Sequence, residues 1–188
     1  MSNLLESINT IKEAIKSDSE ELKKYGIKFL KGGNLEDLKQ KFPWILKAKI
    51  SNAVIDISNN KLVWRDGVWK KGIWEYGVWE SGTWESGTWE SGIWKYGTWK
   101  SGIWKGGWWQ RGTWKSGTWN FGVWQRGTWK DGTWNFGVWE SGTWEKGIWK
   151  DGTWYSGTWE KGIWRGGTWR DGVWYNGKIA GKISKVHP

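Results

Sequence analysis

The chain has 188 residues, among them 25 Trp, 29 Gly, two Pro, one His and no Cys, and its formal charge is +10. The lack of cysteine excludes a disulfide framework and a thiolate metal site, and so strong a bias marks a repeat protein before any other class is considered. The excess charge is thinly spread, with 10 Lys against 8 Asp/Glu in residues 1–60 and 16 Lys/Arg against 11 Asp/Glu in residues 61–177, which argues against the one-sided basic face of most nucleic-acid binders.

Residues 1–42 read as helical. Leu4, Ile8, Ile11, Ile15 and Leu22 form an amphipathic stripe of a/d character, with Asp18 and Tyr25 at the next d positions. Isoleucine at both a and d favours trimers or tetramers, while docking of the same stripe onto the body of the protein is the competing expectation. Gly26 and Lys31–Gly33 interrupt the pattern, Asn34 is placed to cap a second helix over "LEDLKQKF", and Pro43 ends it. Residues 44–60, "WILKAKISNAVIDISNN", switch to an Ile/Val-rich pattern of short strands leading into a turn. Residues 1–60 are thus expected to cap or oligomerise the rest of the chain. The opening "MSNLLESINTIKE" is too polar for a secretory signal, and no apolar run reaches the length of a membrane span. The expected location is the cytoplasm, or a virion, with no secretion signal and no membrane.

From Trp64 to Trp174 a tryptophan stands at every fifth position and a glycine two places before nearly every one, as in "GTWESGTWESG" at 82–92. Side chains of a strand alternate between two faces, so an odd period requires the chain to turn once per pentad. The residue after each Trp is charged in 17 of 23 units, which makes that face solvent and the Trp/Gly face core. Trp64, Trp69, Trp119 and Trp174 are therefore core residues. The residue before Trp is Thr, Val or Ile in nearly every unit, suited to strands, and the fifth position is rich in Ser and Asp, as a corner requires. The array fills residues 61–177, and residues 178–188 read as a basic C-terminal tail.

A pentad with a small residue, a large apolar centre and two polar or corner residues resembles the pentapeptide-repeat proteins, over residues 62–177 of this chain. The resemblance implies a right-handed quadrilateral β-solenoid, a β-helix with four pentads to a coil, in which Trp64, Trp69 and their successors point inward and Gly67, Gly72 and theirs take the small position. The departures are Trp for Leu/Phe, Gly for Ala and Thr/Val/Ile for Asp/Asn. More loosely, the pattern resembles Trp-rich pentad proteins of tailed phages, which implies a virion or tail-associated part. Near-identical units recur at spacings of three pentads and of four, and vertical charge pairing is nearly a tie. At four, Tyr76, Tyr96, Phe136, Tyr155 and Tyr175 share one side, with Phe121 and Trp108 elsewhere. The expected fold is therefore an all-β solenoid of four pentads per coil, just under six coils and roughly 28 Å long, with an N-terminal α-helical segment.

No catalytic, metal-binding or cofactor-binding constellation is visible. His187 is the only histidine, and the carboxylates recur as surface positions without a distinct pair. The expected function is non-enzymatic: a structural or interaction rod or spacer, with a protein partner or self-assembly. The alternative is a glycan- or nucleic-acid-binding module that uses an aromatic stripe, Tyr76, Tyr96, Trp108, Phe136, Tyr155 and Tyr175, together with basic residues.

Overall fold

The computed structural model of the protein describes residues 19–185. The residues of the N-terminal stripe from Leu4 to Asp18, and His187, lie outside that range. The array is a parallel β-solenoid of about eight turns, built of two-residue strands such as Thr118–Trp119.

Each coil holds three pentads, not four. Trp104 pairs with Trp119, and Trp119 with Trp134, in parallel register fifteen residues apart. The same offset joins Trp64 to Trp79 and Trp69 to Trp84. Between coils the N–H of Asn120 donates to Trp104 O (2.8 Å) and that of Thr118 to Gly102 O (2.9 Å). The expectation of a quadrilateral, four-pentad coil is thereby corrected. With about eight coils at roughly 4.8 Å each, the rod is about 38 Å long rather than about 28 Å.

The indole explains the triangle. Trp119 stacks face to face on Trp104 (4.8 Å, 5°) and Trp134 (4.7 Å, 6°), and meets Trp114 (6.0 Å, 73°) and Trp124 (6.1 Å, 75°) edge to face. The stacking distance equals the strand spacing, so the coil rise and the ring stack agree. Three such rings close around the axis. Four with the same neighbour distance would hold opposite centroids about 8.5 Å apart, looser than a protein interior tolerates. Every repeat tryptophan from Trp64 to Trp164 is fully buried, Trp169 is 8% exposed, and Trp174 at the end is half-buried.

Glycine is required by the backbone more than by the ring. At Gly117, φ is +123°, and a Cβ would run directly into the carbonyl oxygen of Gly102 in the coil below. Corner residues serve the same ladder: the Ser101 hydroxyl donates to Glu85 O (2.9 Å), and Asp131 Oδ1 accepts from the Gly132 N–H (2.7 Å). Six indole N–H groups reach a corner carbonyl seventeen residues on, as Trp89 does to Gly106 O (3.2 Å) and Trp139 to Ser156 O (3.2 Å). Most other buried repeat indoles, Trp119 among them, have no partner in hydrogen-bonding geometry. Stacking, not hydrogen bonding, therefore sets the ring positions.

The N-terminal end of the core is covered. Strand β1 (Ile27–Phe29) runs parallel to β2 (Lys49–Ser58), and β2 pairs antiparallel with β3 (Lys61–Lys71), the first stretch of the array. Asn59 and Asn60, at φ 49° and 56°, make the two-residue hairpin turn between them. At the first corner both strands bend together, with the β2 register shifting around Asn52 (φ 53°) opposite Gly67. Helix α1 (Leu35–Lys41) starts at Asn34, whose side chain accepts from the Asp37 N–H (2.7 Å), and it stops just short of Pro43. Leu22, Leu38 of the helix itself, Phe42 and Ile45 are buried in the core. Trp44 then seats on Trp74 (4.9 Å, 70°) and Trp69 (6.3 Å, 50°), in place of a further coil.

At the other end the ladder runs past the last tryptophan. Lys178–Ile179 pairs with Ile163–Trp164, and Ser184–Lys185 with Thr168–Trp169. Residues up to 185 thus continue the solenoid, where the sequence reads as a tail. Ile179, standing where the column would have a tryptophan, is exposed.

Candidate functional surface

Three faces follow from the fifteen-residue coil, led by Trp64, Trp69 and Trp74 in chain order. On the second face the residues before Trp form an unbroken column of threonines, Thr83, Thr98, Thr113, Thr128, Thr143 and Thr158, paired coil to coil. On the first face the same position is apolar: Val63, Val78, Ile93, Trp108, Val123 and Val138 are successive partners.

Charges pair along the axis at the same period. Arg65 reaches Glu80 (2.6 Å), Glu80 also meets Lys95 (3.2 Å), and Lys100–Glu85 (3.0 Å), Lys105–Glu90 (2.9 Å) and Lys146–Asp131 (3.0 Å) repeat the pattern. Most of these are exposed and contribute little each. Asp56 is different. It is buried, it accepts N–H bonds from Leu30, Lys31 and Gly32, and its other oxygen holds Arg65 (2.9 Å). Burial opposes its charge, but the backbone donors and Arg65 outweigh burial and lower its pKa from the usual value. Glu80 is lowered in the same way, with burial opposed by Arg65 and Lys95. This chain of groups ties the cap to the first coils.

The six aromatic residues expected to form a stripe do not lie together: a coil of four pentads would put all but Trp108 on one side, and a coil of three separates them. Tyr76 belongs to the cap contact: its hydroxyl donates to Lys41 O (3.1 Å), and its ring packs on Phe42 (5.7 Å). Tyr96 lies at the corner of the first and second faces, with the Arg111 guanidinium 5.9 Å from its ring centre. Tyr155 is on the first face under Arg170 (4.7 Å), and Tyr175 is on the second, at the far end of the rod. Only Trp108 and Phe136 flank the same stretch of one corner. Phe121, left outside the stripe by the sequence reading, completes their group. It stacks on Phe136 (5.7 Å, 11°) at the corner between the third and first faces. The recurrence of "GTWNFGVW" at 117–124 and 132–139 is the signal that pairs them.

Beside this corner the repeat gives up its charge for two coils, between Lys105 and Lys150 of the same column. Six residues that follow a repeat Trp are uncharged, and four of them are amides: Gln110, Asn120, Gln125 and Asn135. Asn120 and Asn135 immediately precede Phe121 and Phe136, while Gln110 and Gln125 stand at the far edge of the first face, before Arg111 and Arg126. Asn135 Nδ2 donates to Asn120 Oδ1 (2.7 Å), so the third-face pair is held in place.

The second face bears the opposite character. Lys100, Lys115 and Lys130 are successive in one column, with Arg111 and Arg126 successive at its corner. A groove of about 420 Å³ follows that corner, lined by Tyr96, Thr98, Arg111 and Thr113 among others. Among the described residues no group of three or more His, Cys, Asp or Glu could hold a metal ion, and no helix is long and apolar enough to cross a membrane.

The architecture is thus of a pentapeptide-repeat-like kind: a parallel β-solenoid with tryptophan at regular five-residue spacing. No protein family, curated protein or solved structure matches the chain.

Proposed function

We propose that this protein is a non-enzymatic structural and interaction protein, a rigid rod that holds its N-terminal segment and its faces at fixed separation. One observation carries the reading. The core is a continuous stack of indoles in which interior rings such as Trp119 touch the rings above, below, before and after them. A core of this kind has no joint at which the rod could hinge. A spacer or tail-associated part of a virion would use such a rod, and so would a cytoplasmic scaffold. Its partner is a protein, a second copy included, since the exposed Ile179 and half-buried Trp174 leave apolar surface at the far end of the described rod.

Small-angle scattering tests the rod. A rigid particle keeps one cross-section up to its cooperative unfolding, whereas a profile that needs a flexible joint within residues 64–174 refutes the reading. Light scattering over a range of concentrations tests self-assembly, and a mass that stays monomeric throughout removes a second copy as the partner.

A further inference from the structure

We infer that the corner formed by Gly106, Phe121 and Phe136 binds a neutral carbohydrate, with a pyranose ring stacked on Phe121 in the step that Gly106 leaves open. One face of the Phe121 ring is taken by Phe136, yet Phe121 is still 57% exposed. On its other side the corner position one coil below is Gly106, which carries no side chain. The rise between coils is about 4.8 Å, so a flat ring set at the Gly106 level meets Phe121 at stacking distance and continues the Phe136–Phe121 ladder. Trp108, 48% exposed, stands two residues on from Gly106 on the first face.

The surrounding residues select the chemistry. A repeat that puts charge after tryptophan in 17 of 23 units gives it up at Asn120 and Asn135, which immediately precede Phe121 and Phe136 at this corner, and at Gln110 and Gln125 on the adjoining first face. Amide side chains both donate and accept, which matches hydroxyl groups. Aromatic faces match the C–H faces of a sugar ring, as they match other apolar surfaces. A nucleic acid would bring phosphates, whose binding rests on Lys and Arg, and Lys105, next to Gly106 in the chain, is already paired with Glu90. The basic column of the second face lies around a different corner.

The repeat itself supplies variants compatible with the fold. Serine occupies the same corner at Ser91, and threonine the position of Trp108 at Thr153 and Thr168. Gly106 lacks the positive φ of the repeat glycines, and a Cβ there meets only Glu90 O at 3.8 Å. Saturation-transfer NMR on the full chain, with cellohexaose, laminarihexaose, maltohexaose and mannohexaose as probes, tests the site. At least one hexaose should bind, and its affinity should be unchanged in 1 M NaCl. Phe121→Ser and Gly106→Phe should each weaken it by at least about fivefold, the lower end of what one stacked ring contributes, with thermal unfolding as in the parent. Trp108→Thr keeps the test open should Gly106→Phe fail to fold, and Arg111→Ser should leave binding as it was. Failure of all four sugars to bind overturns the proposal. So does binding that survives both Phe121→Ser and Trp108→Thr, and so does salt-sensitive binding of oligo-dT or heparin at this corner in place of the sugars.

Discussion

Replacing Trp119 with alanine removes a ring that is fully buried and touched on four sides, stacked at 4.8 and 4.7 Å and edge-on at 6.0 and 6.1 Å. Truncation of a buried Trp costs about 3–5 kcal/mol when its surroundings relax only partly. Relaxation is blocked here, because neighbouring rings are fixed by strands whose spacing they already match, and four aromatic contacts of about 0.5–1.5 kcal/mol each are lost together. The expected cost is at the top of that range, about 5 kcal/mol. Trp174→Ala makes the internal comparison. That ring is half-buried and stacks on one neighbour only, Trp159 at 4.8 Å, so about 2 kcal/mol is expected. Urea unfolding followed by near-ultraviolet circular dichroism ranks the two. Because repeat arrays open locally, hydrogen exchange at the Thr118 and Thr133 amides should report the same loss around the cavity. A Trp119→Ala cost below about 2 kcal/mol, no larger than that of Trp174→Ala, would refute the reasoning that the stack acts as one continuous core.

Much of this architecture was legible because the pentad constrains each side chain in the same way. An odd period forced a corner into every unit, and the charged residue after tryptophans such as Trp99 and Trp129 fixed the inside. Asn34 and Pro43 marked the ends of α1 by local chemistry alone. The number of sides was harder to read, since it depends on which surfaces meet around the axis. Surface aromatics pointed to four pentads, but those residues answer to separate local partners: Tyr76 to the cap, Tyr155 to Arg170. A better signal was present. Read at three pentads, Thr83, Thr98, Thr113, Thr128, Thr143 and Thr158 form one column, whereas read at four, Thr83 falls beneath Ile103 and Thr128 beneath Ile148. Strand positions that share a sheet share an environment, so they are the better ruler. Trp44 was opaque for another reason. It stands in phase with the pentads, a whole number of them before Trp64, yet it arrives on the core from a 3₁₀ turn of the cap. The neutral corner was invisible until the true period brought Phe121 onto Phe136.

The two glycine classes give a paired test. Gly117→Ala forces a Cβ against the Gly102 carbonyl at φ +123° and should cost about 3 kcal/mol, while Gly106→Ala, free of both problems, should stay within about 0.5 kcal/mol in the same urea titration. Lys115 sits in a column between Lys100 and Lys130, so Lys115→Glu should stabilise the rod by a few tenths of a kcal/mol at low salt, an effect that 0.5 M NaCl should erase. The cap has its own pH dependence, set by Asp56 and Glu80. Both carboxylates have folded pKa values below their usual ones, through Arg65 and, for Asp56, the N–H groups of Lys31 and Gly32. The folded state therefore binds these protons less readily than the unfolded chain. Their contribution is fully present above the unfolded carboxylate range near pH 4, and it is lost as the pH falls through the lower folded values. Asp56→Asn removes the charge that holds Arg65 and should cost about 2 kcal/mol at pH 7, with a smaller difference from the parent at pH 2–3. Exchange of the Lys31 and Gly32 amides at pH 7 and pH 3 reads this directly, since both donate to Asp56. If their protection at pH 7 were the same in Asp56→Asn as in the parent, the carboxylate would not be what fastens the cap to the rod.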